Sequence, residues 1–194
     1  METPTDQELV RRVRAGETRS FADLVYRHKD KAMTVAIRML KNREDAEEAV
    51  QDAFIRAFRA LDRFEERARF STWLYRIVFN VCSTMLSKRG DLLLPNSPDG
   101  DDGKSNREIP DVGDIPDAIV EQKEFKESVM DALNNLPPLY GGMLTMFLLD
   151  DLSYEEIVKI TGLPLGTVKA RLFRARGMLR TAVLQRMDIK EIAR

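Results

Sequence analysis

The chain has 194 residues, room for one domain or two small ones, and its 31 Lys and Arg against 32 Asp and Glu leave it near neutral, with a sequence pI near 6.0. That balance argues against a general nucleic-acid binder. A single Cys82 excludes an internal disulfide, and a lone His28 without a ligand pair leaves no metal site.

No stretch approaches the roughly 20 apolar residues of a membrane span, and METPTDQELVRRVRAG has no apolar signal core, so a soluble, cytoplasmic protein is expected. No phosphate loop and no Ser, His and Asp arrangement is present; no catalytic residue, cofactor or metal is expected. Apolar residues recur at helical spacing throughout, which predicts an all-α fold.

A first short helix follows the capping box of Thr5 and Glu8, carries Leu9, Val10 and Val13, and stops near Gly16. A second carries Phe21, Leu24, Val25, Val35, Ala36, Met39 and Leu40. A third, from about Arg43 to Leu61, buries Ala46, Val50, Ala53, Phe54 and Ala57. Its outward face holds Glu44, Glu48, Gln51, Asp52, Ile55 and Arg59, with Phe58 at the border. An Ile set among carboxylates and an amide, with a Phe beside it, has the make-up of a protein interface with a polar rim, although one exposed apolar residue is common on any surface.

A fourth helix starts near Ser71 and buries Phe70, Trp73, Leu74, Ile77, Val81 and Met85, closing a small bundle. Arg69, Thr72, Arg76, Asn80, Ser83 and Ser87 lie opposite, a mixture of arginines, small hydroxyls and an amide that suits single-stranded nucleic acid. Phe79 shares that side, and packing against a neighbouring helix is the reading favoured for it.

The stretch LLLPNSPDGDDGKSNREIPDVGDIP then breaks the periodicity and reads as a linker. Asp91, Asp99, Asp101, Asp102, Glu108, Asp111, Asp114 and Asp117 oppose only Lys104 and Arg107, so the linker is acidic. Its DGDDG is not a calcium loop, because Pro110 falls where the bidentate Glu belongs. Three parts follow: residues 1–90 as one helical domain, 91–117 as linker, and 118–194 as a second helical domain.

The second domain opens with Phe125, Val129 and Leu133 at helical spacing, then a helix after Pro137 and Pro138 with Met143, Leu144, Phe147 and Leu148. Next comes SYEEIVKITGLPLGTVKARLFRAR. Ser153 and Glu156 form a capping box, Gly162 ends a short helix, and a basic helix follows, which is helix-turn-helix logic. In the second of these helices Val168, Leu172, Ala175 and Leu179 form the buried stripe. Gly166, Ala170, Phe173, Arg174 and Gly177 face away from it. A major groove about 12 Å wide admits a helix of such low profile, with Lys169, Arg171 and Arg174 reaching guanine edges or phosphates and Thr167 offering its hydroxyl to a phosphate.

EDAEEAVQDAFIRAFRALDRF, FSTWLYRIVFN, LSYEEI and GTVKARLFRAR, in that order, resemble regions two and four of the extracytoplasmic-function group of bacterial sigma factors. The resemblance implies a dissociable subunit of bacterial RNA polymerase that selects promoters. It assigns Glu48, Gln51, Asp52, Ile55 and Phe58 to the clamp helices of the largest catalytic subunit. It makes the segment from Phe64 to Ser71, with Glu66, Arg67 and Phe70, a loop that pockets a flipped base of the −10 element. Lys169, Ala170, Arg171, Phe173 and Arg174 would read the −35 element, the linker would run through cationic channels of the polymerase or serve as a tether, and an anti-sigma protein is expected as a further partner. Two departures stand out. Arg76 and Ile77 lie where housekeeping relatives carry a duplex-opening aromatic pair, which implies fewer tolerated promoters. Gly141 and Gly142 lie where relatives often place Arg. A stand-alone helix-turn-helix regulator, with the first bundle used for dimerisation or sensing, is the rival reading.

Overall fold

The computed structural model describes residues 3–65, 69–91 and 122–192, with side chains in the last stretch described over 127–186. The described residues are helical with no strand among them, as the periodicity requires. The expected linker falls almost wholly on residues outside this set, as do Glu66 and Arg67 of the expected base-pocketing loop.

Local chemistry sets each helix of the N-terminal unit. Helix α1, Asp6–Arg14, begins at a complete capping box in which the Glu8 amide donates to Thr5 Oγ1 at 3.2 Å and the Thr5 amide donates to Glu8 Oε2 at 2.9 Å. Helix α2, Ser20–Leu40, ends at Lys41 in the left-handed region, φ 57°; Asn42 then caps α3, Arg43–Ala60, by accepting from the Asp45 amide at 3.0 Å. A 3₁₀ turn, Leu61–Arg63, closes α3, and Arg14 of α1 donates to the Leu61 carbonyl at 2.8 Å and to that of Phe64, pinning the turn to the start of the chain. Helix α4, Phe70–Arg89, packs on α2 and α3 and stops at Gly90, whose φ of 76° suits a residue without a Cβ. His28 of α2 is half-buried, its Nε2 at 2.8 Å from Asp6 Oδ2 and its ring 5.2 Å from that of Phe70. With Arg27 beside it, this pairing holds the Asp6 carboxyl below its usual range.

The C-terminal unit contains α5, Gln122–Asn135; α6, Pro138–Leu148; α7, Tyr154–Thr161; and α8, Leu165–Ile192. Helices α5, α6 and α7 all pack on α8. Helix α6 is buried at seven consecutive positions, Tyr140 to Met146, so it has neighbours on every side. One of them is α2 of the first unit, and α7 likewise packs on α4. The two helical units therefore share a continuous apolar core.

Candidate protein and nucleic-acid interfaces

An open groove of about 990 Å³ runs between α2 and α3. Its floor is apolar, with Phe21, Val25 and Met33 from α2 facing Phe54, Ile55 and Phe58 from α3, and Gln51, Glu47, Arg43 and Lys29 stand along its edges. Ile55 and Phe58 are 44% and 42% exposed, too open for core residues, while the Phe58 ring meets Phe21 edge-on at 5.0 Å. Gln51 joins the lining. Glu48 is exposed outside it, and Asp52 pairs with Arg56 one turn along at 2.8 Å. Helical spacing along α3 shows only that side of the groove; Phe21 and Val25, apolar residues expected in the core of α2, are half-buried and form the opposite wall.

The candidate −10 residues divide. Arg76 and Asn80 are exposed one turn apart on α4, and Arg69 stands exposed at its start. Ser83 is half-buried, and its Oγ has no hydrogen-bond partner among the described residues. Phe70 is buried, its ring 5.8 Å from those of Phe64 and Trp73, so it anchors the base of the preceding loop from inside. Thr72 is only 5% exposed, and its hydroxyl donates to Glu156 Oε1 of α7 at 3.3 Å; the same oxygen lies 3.7 Å from Arg69 Nη1. Phe79 is buried, as packing against a neighbour demands.

In the C-terminal unit a second complete capping box starts α7: the Glu156 amide donates to Ser153 Oγ at 3.2 Å and the Ser153 amide to Glu156 Oε2 at 3.0 Å. Gly162, at φ 72°, turns the chain towards α8. Val168, Leu172, Ala175 and Leu179 are buried as the stripe predicts. Lys169, Phe173 and Arg174 are exposed on the other side, with Thr167, Ala170 and Arg171 half-buried along its edges. Phe173 is 41% exposed, an aromatic held outward among cations. Lys169 Nζ sits 5.9 Å from the Tyr154 ring, and Arg176 lies 4.5 Å over Phe147, so aromatic faces orient the cations along both α7 and α6. Among the described residues, nothing beyond the helix's own adjacent backbone lies within 4 Å of where a Cβ at Gly166 or Gly177 would stand; the low profile faces open space.

No group of metal-ligating side chains occurs among the described residues, and no described helix is long and apolar enough to cross a membrane.

Residues 24–91 match the Sigma-70 region 2 family and residues 126–179 match Sigma-70, region 4. The chain is 35% identical to the ECF RNA polymerase sigma-E factor of Haemophilus influenzae over 185 residues, covering 92% of this chain and 95% of that protein. It is 36% identical to the sigma-E factor of Escherichia coli K12, over 89% of this chain and 91% of that protein, and 35% identical to the ECF sigma factor SigW of Bacillus subtilis, over 88% and 92%. The fold is shared with CnrH, solved in complex with the cytosolic domain of CnrY (TM-score 0.62, 23% identity, 93% of this chain and 97% of that one). It is shared also with the sigma factor RpoE from Bartonella quintana, solved with the anti-sigma factor NepR (TM-score 0.60, 24% identity, 84% and 96%). With both halves matched in order and relatives aligned along nearly their whole length, the chain belongs to the extracytoplasmic-function group of RNA polymerase sigma factors, the non-enzymatic proteins that direct transcription initiation.

Proposed function

We propose that this sigma factor seats the clamp helices of core RNA polymerase in the α2–α3 groove, with Ile55 and Phe58 as apolar anchors and Glu48, Gln51 and Asp52 along the rim. The loop before α4, with Glu66, Arg67 and Arg69 and with buried Phe70 as its internal anchor, and the α4 side chains Thr72, Arg76, Asn80 and Ser83 take the unpaired −10 strand. Thr167, Lys169, Ala170, Arg171, Phe173 and Arg174 of α8 take the −35 duplex in its major groove.

Residues 1–90 and 118–194 act as the two promoter-reading domains and 91–117 as the acidic connection; the family match at 126–179 lies inside the second domain, and that at 24–91 ends one residue past the first. The protein works in the cytoplasm, where its polymerase and promoters are. An anti-sigma protein covers the α2–α3 groove in the resting cell; supporting this, the RpoE neighbour was solved with one bound.

The observation that carries the reading is the coexistence, in one chain, of an apolar groove fit for a helical partner and a helix-turn-helix whose cationic face is open. The experiment is co-purification with core polymerase followed by run-off transcription from candidate promoters. The sigma reading expects a monomer that binds DNA weakly until core polymerase joins it. A stand-alone regulator would bind duplex DNA tightly as a symmetric dimer and leave core polymerase behind.

A further inference from the structure

Helix α1 reaches both ends of the segment between Phe64 and Phe70, the one assigned above to a base of the −10 strand. It lies ahead of the region 2 match, which begins at residue 24. The last residue of α1, Arg14, donates from Nη2 to the Leu61 carbonyl at 2.8 Å and to that of Asp62 at 3.4 Å, and it also donates to the Phe64 carbonyl. Its Nε lies 3.2 Å from the Leu61 oxygen. These carbonyls close α3 and the 3₁₀ turn, where a helix end leaves acceptors without intrahelical donors. A planar guanidinium serves several of them at once and brings its charge to the negative end of the helix dipole.

The first residue of α1, Asp6, acts at the other end. Asp6 Oδ2 lies 2.8 Å from His28 Nε2, Arg27 pairs with the second carboxylate oxygen at 3.1 Å, and the His28 ring packs 5.2 Å from that of Phe70. Phe64 and Phe70 are both buried, with ring centroids 5.8 Å apart and Trp73 against each. The segment therefore leaves and re-enters the bundle at one aromatic cluster. Arg14 holds its departure through the backbone, and the Asp6–His28 pair backs its return through a ring. Arg11, one turn earlier, serves its own helix instead, its Nε 3.4 Å from the Gln7 carbonyl.

We propose that Arg14 is a positioning residue for −10 recognition: by fixing the carbonyls of Leu61, Asp62 and Phe64 it sets the point from which the base-pocketing segment departs, and with it the base preference. The inference rests on the assignment of that segment to the −10 strand. Sites that discriminate need their supporting geometry held to within about 0.5 Å, and a brace on the stem supplies that restraint.

The test uses the full chain, reconstituted with core polymerase, on a promoter that supports run-off transcription with the unsubstituted protein. Matched copies of that promoter carry each of the four bases at every −10 position, and opening is read as single-round run-off transcript. Arg14→Ala should lower the ratio between preferred and rejected bases at least about fivefold at one or two −10 positions. Preference at −35, core binding and helicity should stay as they were. Arg14→Lys keeps the charge on a single ammonium in place of the planar fork, and should lose part of the preference. Arg11→Ala removes the same charge from the same helix and should leave the preference intact.

An unchanged −10 preference in a folded Arg14→Ala variant overturns the proposal. An equal loss on every base overturns it too, since that marks a structural role, as does an equal effect of Arg11→Ala, which marks the charge of α1 alone. If Arg14→Ala fails to fold, Arg14→Lys carries the test, and full preference there overturns the proposal. Unsubstituted protein that binds no core polymerase would instead sink the sigma reading, and unsubstituted holoenzyme that opens every −10 copy alike would sink the −10 assignment.

Discussion

Two pairs of glycines sit inside helices of the C-terminal unit, and their surroundings are opposite. Gly141 and Gly142 of α6 are pressed against Met39 and the Arg38 carbonyl, whereas Gly166 and Gly177 of α8 look out on open space. All four lie outside the positive-φ region, so backbone geometry demands none of them. The α6 pair is explained from within the protein. The α8 pair is not, and the −35 contact proposed for that face would account for it. A glycine with no neighbour, on an exposed cationic helix, thus points to a surface shaped for something outside the chain.

The largest effect that separates the pairs is expected at α6. Gly142→Leu forces a bulky side chain into the α2–α6 contact and should destabilise the docked chain by about 1–3 kcal/mol, read as a lowered midpoint in thermal denaturation. At the groove, Ile55→Ala should weaken core polymerase binding by about 1–3 kcal/mol with an unchanged circular dichroism spectrum, because it removes an apolar anchor that supports no core. Arg174→Ala should cost roughly 1–3 kcal/mol at the −35 element and relax preference at one or two base pairs, measured by transcription from a matched set of −35 variants. A uniform loss across all variants would reassign Arg174 to a phosphate.

The smallest effect has the opposite sign. Gly177→Ala should stabilise the free protein by about 0.4–1 kcal/mol, since the new methyl meets nothing and the unfolded chain loses freedom. The α6 substitution destabilises, so the two signs separate an internally required glycine from one kept for a partner. Acid provides a further check on the N-terminal unit. Asp6 is held below the ordinary carboxylate value by His28 and Arg27, so its share of stability is full above that ordinary value and is lost as pH falls through the lowered one. Asp6→Asn should flatten that part of the acid-unfolding curve.

What was readable from sequence is what neighbours along the chain decide. Both capping boxes, the Gly162 turn, and the Val168, Leu172, Ala175 and Leu179 stripe rest on residues within a few positions of each other. The all-α class and the cationic outer side of α8 followed from the same periodicity. The rest depends on distant contacts. Thr72 read as an outward hydroxyl because helical spacing put it opposite the apolar stripe, yet Glu156, far along the chain, covers it. Phe21 and Val25 read as core because apolar residues usually are, and only the arrangement of α2 beside α3 turns them into a groove wall. Gly141 and Gly142 read as a departure from the family pattern; the close approach of the Met39 side chain and the Arg38 carbonyl, which a Cβ would have to push aside, accounts for them.

The central claim, a sigma factor whose α8 enters the −35 groove on its shaved face, is tested most directly by Ala170→Leu in a reconstituted holoenzyme. The substitution leaves net charge and the buried stripe unchanged and adds bulk beside Gly166 and Gly177, on the side proposed to approach the groove floor. The measurement is promoter-specific transcription after confirming that the variant folds and binds core polymerase. The account predicts a drop of about tenfold or more, the equivalent of roughly 1.4 kcal/mol of lost promoter contact, with core binding intact. Normal transcription by a folded, core-bound Ala170→Leu variant would contradict it.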